Sequence, residues 1–384
     1  MSDRVVIIGG GISGVAAAYE LARNGVAVTL LEREELASMA SGWTLAGVRQ
    51  SGRHPAELPL AAAAVARWTN LDRELEADTE YRQNGNLRLA LSEEDVPTIR
   101  GVVEASTAAG IPVDYLETVR DIRAVAPALS DQLFCASFCP SDGHANPVKT
   151  VRAFAMAAKK HGADIRTGVE VTGIETAGHR IGGVTTSDGT MAADIVILAA
   201  GIYSPRLLKP LGLELPMQIR HVPVVQTVPA APMLDQVIGI ATGKFAGRQQ
   251  VDGRFRLTLG GCPWSEGRVH DQYNVQPTLE QVQETIGVST RILPAIERLR
   301  VAQVWGGLLD MTPDALPVIE RSPVVQGLII AAGFSGHGFC LGPIIGQILA
   351  NLAISGSVEF PIEQFQLSRF ADGTQKSESA TLHG

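Results

Sequence analysis

The sequence predicts an α/β protein in which a parallel, helix-covered sheet is interleaved with an α+β domain built on a mainly antiparallel sheet. Three observations predict it. Residues 5–32, VVIIGGGISGVAAAYELARNGVAVTLLE, read as strand, glycine turn, helix and strand in unbroken succession. Residues 193–200 (ADIVILAA) and 328–332 (LIIAA) are short apolar runs, each leading into a glycine, as parallel strands covered on both faces require. Residues 215–262 differ in kind: short or alternating strand patterns surround an Asp252-Gly253 turn, the signature of antiparallel pairing.

The first stretch carries the strongest signal. Val5, Val6, Ile7 and Ile8 supply a β-branched strand, and Gly9, Gly11 and Gly14 follow with G-x-G-x-x-G spacing. Gly9 permits the tight turn, Gly11 lets a pyrophosphate approach the backbone, and Gly14 lets the next helix lie close to the strand. That helix, over 12–24, is lined with Ala16, Ala17 and Ala18, and its free N-terminal amides and dipole point at the phosphates. Asn24-Gly25 stops it, residues 26–31 form a second buried strand, and Glu32 stands at the strand end. A carboxylate there accepts hydrogen bonds from ribose hydroxyls and repels a 2′-phosphate. The bland alternative is an ordinary βαβ unit. The full order of strand, turn, helix, strand and acid favours a Rossmann-like dinucleotide site instead.

The rest of the chain follows in order. Residues 35–57 are rich in small side chains without a period and read as a loop, one that lets a bulky ring approach the backbone near Ser41 and Gly42. Residues 56–77 predict a long helix with Trp68 and Leu71 on its apolar side, and 84–91 a hairpin strand entered through Asn84-Gly85. A helix over 92–109 has Ser92 as N-cap, and another spans 148–160. Strands are expected around 169–174, 181–185 and 193–200, where Ala200-Gly201 places backbone against something flat or charged. Further strands at 222–228, 237–241 and 255–260 build the inserted antiparallel sheet. A helix over 278–292, a strand over 301–307 and the buried strand 328–332 come next. The turn GFSGHGF (333–339) then leads into a helix over 343–354, and the polar tail 371–384 is expected to be loosely ordered.

Composition narrows the classes. With 384 residues the chain is long enough for two intertwined domains, and a net charge of -8 without a basic block excludes nucleic acid as a natural partner. The first residues run straight into the nucleotide strand, so no signal peptide is expected, and no apolar run reaches the ~18 residues of a membrane span. A cytoplasmic protein is the expectation. Cys135, Cys139, Cys262 and Cys340 lack metal-ligand spacing and are expected as thiols, with Cys135 and Cys139 packed in a buried strand. No metal site is expected.

The second glycine turn decides the cofactor. A chain that needs dinucleotide phosphates at one turn has no evident use for a second, but one that holds an isoalloxazine ring does. A reduced flavin carries negative charge that the free amides of a helix N-terminus stabilise. The alternative is a strand–helix turn whose glycines merely relieve close packing.

Gly9–Gly14 with Glu32, Ala199–Gly201 and GFSGHGF together resemble the D-amino acid oxidase (DAO) family of flavoproteins, with the glycine oxidase and sarcosine oxidase branch nearest. The likeness covers residues 5 to about 352, and GGLLDMTPDALPVIE (306–320) is similar to a family stretch ending T-P-D-x-x-P-x-I. It implies an FAD-binding domain over 1–45, 143–214 and 305–370, and a substrate-binding domain over 46–142 and 215–304. It also implies FAD contacts at Gly9, Gly11, Ile12, Ser13 and Gly14, at Glu32, Arg33, Ser41 and Gly42, and at Val171, Ala200 and Gly201. At the second turn the contacts are Gly333, Ser335, Gly336, His337, Gly338 and Phe339. The flavin-linking cysteine of monomeric sarcosine oxidases aligns with Gly307, so the FAD is expected to be non-covalent. Those enzymes carry a lysine where this chain has Cys340.

The implied chemistry is oxidation of the C–N bond of a small amino acid, glycine-like or N-substituted. Hydride transfer to flavin gives an imine that water hydrolyses to glyoxylate or a keto acid plus an amine, with oxygen as acceptor. Glycine oxidases carry a carboxylate-binding arginine near Leu309, whereas sarcosine oxidases use one in the loop where Arg49 falls. Arg49 is therefore the candidate carboxylate partner and secondary amines the favoured substrates, with Arg53 as a weaker second. Tyr203 walls the site or is a core aromatic. Arg248 adds an anionic contact or faces solvent, and His221 and Trp264 are candidate lining residues. His337 sets charge near the flavin or bonds to backbone. The resemblance extends to β subunits of hetero-oligomeric sarcosine, opine and hydroxyproline dehydrogenases, so a monomer, a homo-oligomer or a hetero-oligomer is compatible. A non-catalytic flavin- or NAD-binding sensor is the reading from another class, and it has no use for a carboxylate anchor such as Arg49.

Overall fold

The computed structural model describes residues 4–264 and 275–371. One sheet has six strands in the order Val318–Arg321, Leu328–Ala332, Ile195–Leu198, Val5–Ile8, Val28–Glu32 and Asp164–Thr167. All neighbours run parallel except the edge strand Val318–Arg321, which is antiparallel to Leu328–Ala332. Alternate side chains enter two different cores, which is why these strands read as continuous apolar runs. Val5, Ile7, Ile197 and Ile329 pack among the helices Ile12–Arg23, Pro147–Lys160 and Gly338–Ile354. Val6, Ile8, Val196, Leu198 and Ile330 pack with Val171, Ile181 and Val184 of a three-stranded sheet on the opposite side.

The second large sheet has nine strands and carries the chain's α+β half. Its neighbours are antiparallel except for Asn86–Leu89 against Val237–Ile240. Leu87, Leu89, Phe255 and Leu257 face Ile122 and Ile292 of the covering helices Val119–Val125 and Leu279–Ile292. With a period of 2, the alternate residues Arg88, Arg256 and Thr258 turn to the other face, toward the loop that follows Glu32. An interleaved α/β architecture of this kind is what the sequence predicted.

The structure corrects several local expectations. Residues 35–57 contain a one-turn helix, Ala40–Trp43, and the strand Gly47–Val48, which pairs with Gly143–His144. Asn86–Leu89 is a strand but not half of a hairpin. Gly85 is instead required because the Phe138 ring lies 2.3 Å from where a Cβ would stand. The strand expected at 301–307 runs on as Val301–Met311, paired along its length with Gln218–Thr227. The last helix begins at Gly338 rather than Pro343, straight out of the glycine turn. Phe245–Gln249, the strand that carries Arg248, completes the hairpin around Asp252-Gly253. The helices Leu58–Leu75 and Leu279–Ile292, the latter N-capped by Thr278, lie where expected. The tail expectation for 371–384 falls outside the described residues apart from Ala371. Cys135, Cys139 and Cys340 are buried free thiols and Cys262 is exposed. Among the described residues no helix is long and apolar enough to cross a membrane, and no group of three His, Cys, Asp or Glu could hold a metal ion.

Candidate active site

Two connected cavities lie between the sheets. The outer one, about 1290 Å³ including its open mouth, begins at the first glycine turn and ends at the second. Gly9, with φ +113, makes the turn that a side chain could not, since its Cβ would lie 2.3 Å from the Ala199 carbonyl oxygen. The helix Ile12–Arg23 starts from Gly11 with no side-chain cap and no acid in its first turn, so its dipole is left for an anion. Ser41 accepts the Ile12 N–H at 3.0 Å, tying the following loop to this helix end.

Glu32 lines the same cavity with its carboxylate held still. Oε2 accepts from Gly10 N–H at 2.6 Å and Oε1 from Glu34 N–H at 2.8 Å. Each oxygen keeps a lone pair for a hydroxyl donor. Beside it, Arg33 donates to the Tyr203 hydroxyl at 2.9 Å and its guanidinium lies 4.2 Å from that ring. Tyr203 is thus a wall of the outer cavity, near Ala200 and Gly201.

The second glycine turn is built by Asp310. Its buried Oδ2 accepts the Gly333 N–H at 2.8 Å and the Phe334 N–H at 3.3 Å, while Ser335 N–H donates to its backbone carbonyl at 3.1 Å. Burial pushes the Asp310 carboxyl up to about 6 despite these donors. The helix Gly338–Ile354 leaves the turn, again with no side-chain cap and no acid in its first turn. Gly336 and Phe339 line both cavities, so the second turn stands at their junction.

The inner cavity is walled by the nine-stranded sheet and by the loop after Glu32. Val222, Val224, Ile238, Ile240 and Ala246 make it apolar, and Arg49, Arg53 and Arg88 make it basic. Arg49 is half-buried, and desolvation together with Arg53 and Arg88 holds its guanidinium well below the usual arginine range, with Asp142 as the counter-charge. Its Nη1 donates to the Ser51 carbonyl at 2.6 Å. Burial and Arg53 also push Arg88 down to about 10. Arg53 is paired with Glu57 at 3.3 Å, and Glu57 also meets His337 Nδ1 at 2.9 Å. A carboxylate ligand entering this cluster would lower its electrostatic cost.

The loop carrying Arg49 is pinned rather than free. Asp142 accepts the Gln50 N–H at 2.8 Å and the Ser51 hydroxyl, and the Cys340 thiol meets the Arg49 backbone. Arg248 donates to the Leu45 carbonyl and, at 3.0 Å, to the Ala145 carbonyl, and Arg256 donates to the Thr44 carbonyl at 2.6 Å. Arg248 is 2% exposed and lines neither of these two cavities, so both sequence readings of it, anion contact and solvent face, are replaced by a structural one.

The other anticipated residues divide. Gly9, Gly11, Ile12, Ser13, Glu32, Arg33, Ser41, Val171, Ala200, Gly201, Gly336, Gly338 and Phe339 line the outer cavity. Gly14 and Gly42 lie behind it, each needed because a Cβ would stand 2.0 Å from a backbone oxygen, and Gly333 and Ser335 shape the turn from within. Arg49, Arg53 and His337 gather in the inner cavity. His221 lines neither cavity: its Nε2 lies 2.7 Å from the Val275 carbonyl and Trp264 stacks on its ring at 5.3 Å. Sequence reasoning missed Glu57, Arg88, Asp142 and Asp310. Arg88 alone gave a signal, an arginine inside the apolar run NLRLAL.

An FAD fits what is present: two helix N-termini without an acid in the first turn facing one cavity, a fixed carboxylate at the nucleotide end, and an apolar chamber beside the other. Known proteins agree. The family model for FAD dependent oxidoreductases (DAO) matches residues 4–352. The sarcosine oxidase subunit beta of Arthrobacter sp is 29% identical over 96% of this chain and 91% of its own length. Of solved structures, L-proline dehydrogenase from P. horikoshii superposes with a TM-score of 0.89 at 29% identity, covering 97% of this chain and 98% of that one. Glycine oxidase from Geobacillus kaustophilus gives 0.88 at 25% identity, covering 96% and 99%.

Proposed function

Since this chain belongs to the DAO family of FAD-dependent oxidoreductases, we propose that it oxidises the C–N bond of a small amino acid, with N-substituted glycines and other secondary amines as preferred substrates. The observation that carries this reading is Arg49, a desolvated guanidinium in an apolar chamber that opens on the second glycine turn. A planar fork of donors suits a carboxylate in bidentate fashion, and burial makes the bond strong. Leu309, which lines both cavities, leaves no cation at the place where the resemblance puts the glycine oxidase arginine.

The two helix ends and Glu32 would hold FAD non-covalently along the outer cavity, where it would supply the acceptor for a hydride from the substrate Cα. The chain's own residues supply orientation. Arg49 fixes the carboxylate, Val222, Val224, Ile238 and Ile240 exclude water around the alkyl part, and the amine and Cα are directed to the junction of the cavities. The imine product then hydrolyses in water to a keto acid or glyoxylate and an amine, and oxygen would be the final electron acceptor.

A second reading is favoured by the relative named sarcosine oxidase subunit beta. In it the chain is the catalytic subunit of a hetero-oligomer that passes electrons to a partner. Anaerobic mixing of the holoprotein with sarcosine, glycine, L-proline and D-alanine tests the proposal. Loss of flavin colour with a secondary amine, restored by oxygen, supports it, and no bleaching with any of them refutes it. Bleaching that an artificial dye reverses and oxygen does not would select the second reading.

A further inference from the structure

The inner cavity holds a base that the proposed oxidation, on which this inference rests, has not used. His337 immediately precedes the helix Gly338–Ile354 and lines the inner cavity together with Arg49 and Arg53. Its Nδ1 lies 2.9 Å from Glu57 Oε2 and 3.2 Å from Oε1. Glu57 is fully buried and also paired with Arg53. Burial works against its carboxylate, but its contacts with His337 and Arg53 outweigh that and hold Glu57 below the usual carboxylate range. A carboxylate held ionised in this way must receive an N–H from the ring, which places the proton on Nδ1 and the lone pair on Nε2. That Nε2 is buried and, among the described residues, has no hydrogen-bond partner. An orphaned acceptor on a cavity wall is a place for a proton donor from the ligand.

An amino acid arrives with its nitrogen protonated, and a hydride leaves its Cα readily only when the nitrogen has a free electron pair. We propose that His337 Nε2 accepts the substrate ammonium proton once the carboxylate is on Arg49, with Glu57 bearing the imidazolium so formed. The N–H bond of the ammonium breaks, its electron pair stays on the amine nitrogen, and an Nε2–H bond forms. No oxidant takes part in this step.

Charge makes the base conditional. Arg49 and Arg53 stand beside His337 on the wall of the inner cavity, with Glu57 and Asp142 as their counter-charges. Burial, with Arg53 and Arg49, pushes His337 down to about 4, so the empty site keeps the ring neutral. Cys340, the titratable group nearest on the same helix, is held as a thiol by burial. A carboxylate bound at Arg49 offsets the arginines that weaken the ring, and so strengthens the base only when a ligand is in place to use it. The ammonium charge then moves off the amine and onto a ring already paired with Glu57.

The test compares wild type with His337→Asn, whose amide still donates to Glu57 but offers no basic nitrogen. Anaerobic bleaching by sarcosine, or by L-proline if that is faster, should fall about 10²- to 10⁴-fold near neutral pH. It should then climb about tenfold per pH unit toward the amine's own pKa, where the wild-type rate has levelled off. Binding of methoxyacetate, a carboxylate with no proton to give, to dithionite-reduced holoprotein should be unchanged. Glu57→Gln should show the same shift to a lesser degree, and it decides the matter if His337→Asn does not retain FAD. A wild-type rate and pH profile in these variants overturns the inference and leaves the proposed function standing. Loss of methoxyacetate binding along with the rate also overturns it, by making His337 merely structural. A wild type that no amine bleaches overturns both.

Discussion

Gly346 lies against Ala16 so closely that a methyl added to it would stand 2.5 Å from the Ala16 Cβ and 2.6 Å from the Ala16 carbonyl carbon. One turn earlier, a methyl on Gly342 would meet the Ile12 side chain, 2.3 Å from its Cγ1. The helix leaving the first glycine turn therefore rests backbone to backbone on the helix leaving the second. This contact aims both N-termini at one cavity, so cofactor binding depends on it.

Gly346→Ala tests the dependence. Alanine favours a helix over glycine by roughly 1 kcal/mol, but overpacking against backbone costs about 1–3 kcal/mol. The clash should win. Thermal unfolding should come at a lower temperature, and reconstitution of apoprotein should need more FAD. A variant as stable as wild type and equally avid for FAD would show that the helices shift apart without consequence.

Arg248 should matter to stability and not to substrate choice. It spans the carbonyls of Leu45 and Ala145 from a fully buried position, and burial pushes it down to about 9. Replacing it by Leu leaves those acceptors unpaired, a loss of about 2–4 kcal/mol. Lysine cannot span the same acceptors and should not restore the loss. Urea unfolding of the three proteins checks this, and a midpoint unchanged in Arg248→Leu contradicts it.

What the sequence disclosed follows from how local each signal is. Gly9, Gly14 and Glu32 belong to one continuous βαβ unit whose geometry is set within thirty residues, so position and role could be read together. Arg49 was found because the loop is short of large side chains and the family resemblance marked the place. Arg248 was misread because a period of 2 shows which side chains share a face, but not that the polar face meets a buried loop rather than water. Glu57 and Asp142 reach the cluster from 280 and 92 residues away from their partners His337 and Gln50, and no local pattern announces such a contact.

Asp310 gives a pH dependence whose sign is fixed. Its carboxyl moves from 3.8 to about 6 on folding, chiefly through burial. Between those values the folded chain holds a proton that the unfolded chain has lost, so stability falls as pH rises through the window and levels off above it. Two units correspond to about 3 kcal/mol. Asp310→Asn has no such titration, so its stability should improve relative to wild type between about pH 4 and pH 6.5. A difference between the two that stays constant with pH would mean the carboxyl is not displaced.

The flavin should come away intact on acid precipitation. Among the described residues no cysteine or histidine lines the outer cavity, and Gly307 stands where the resemblance puts a flavin-linking cysteine. All the yellow colour should remain in the supernatant, and colour retained in the washed pellet would disprove non-covalent binding.

Arg49 offers the sharpest division between binding and chemistry. Removing one partner of a buried charge-assisted pair costs about 2–5 kcal/mol, or some 30- to 5000-fold in affinity. Arg49→Ala also frees the Ser51 carbonyl, so its fold must first be shown intact by FAD binding and unfolding temperature. With that established, KM for sarcosine should rise within this range. Oxidation of an amine without a carboxylate, slow in wild type, should be affected little, because that substrate never used the anchor. Arg49→Lys should recover only part of the affinity, since a point charge lacks the planar fork. If Arg49→Ala depressed both substrates equally, Arg49 would be acting on the cofactor or the loop, and the carboxylate would have to be sought at Arg53 or Arg88.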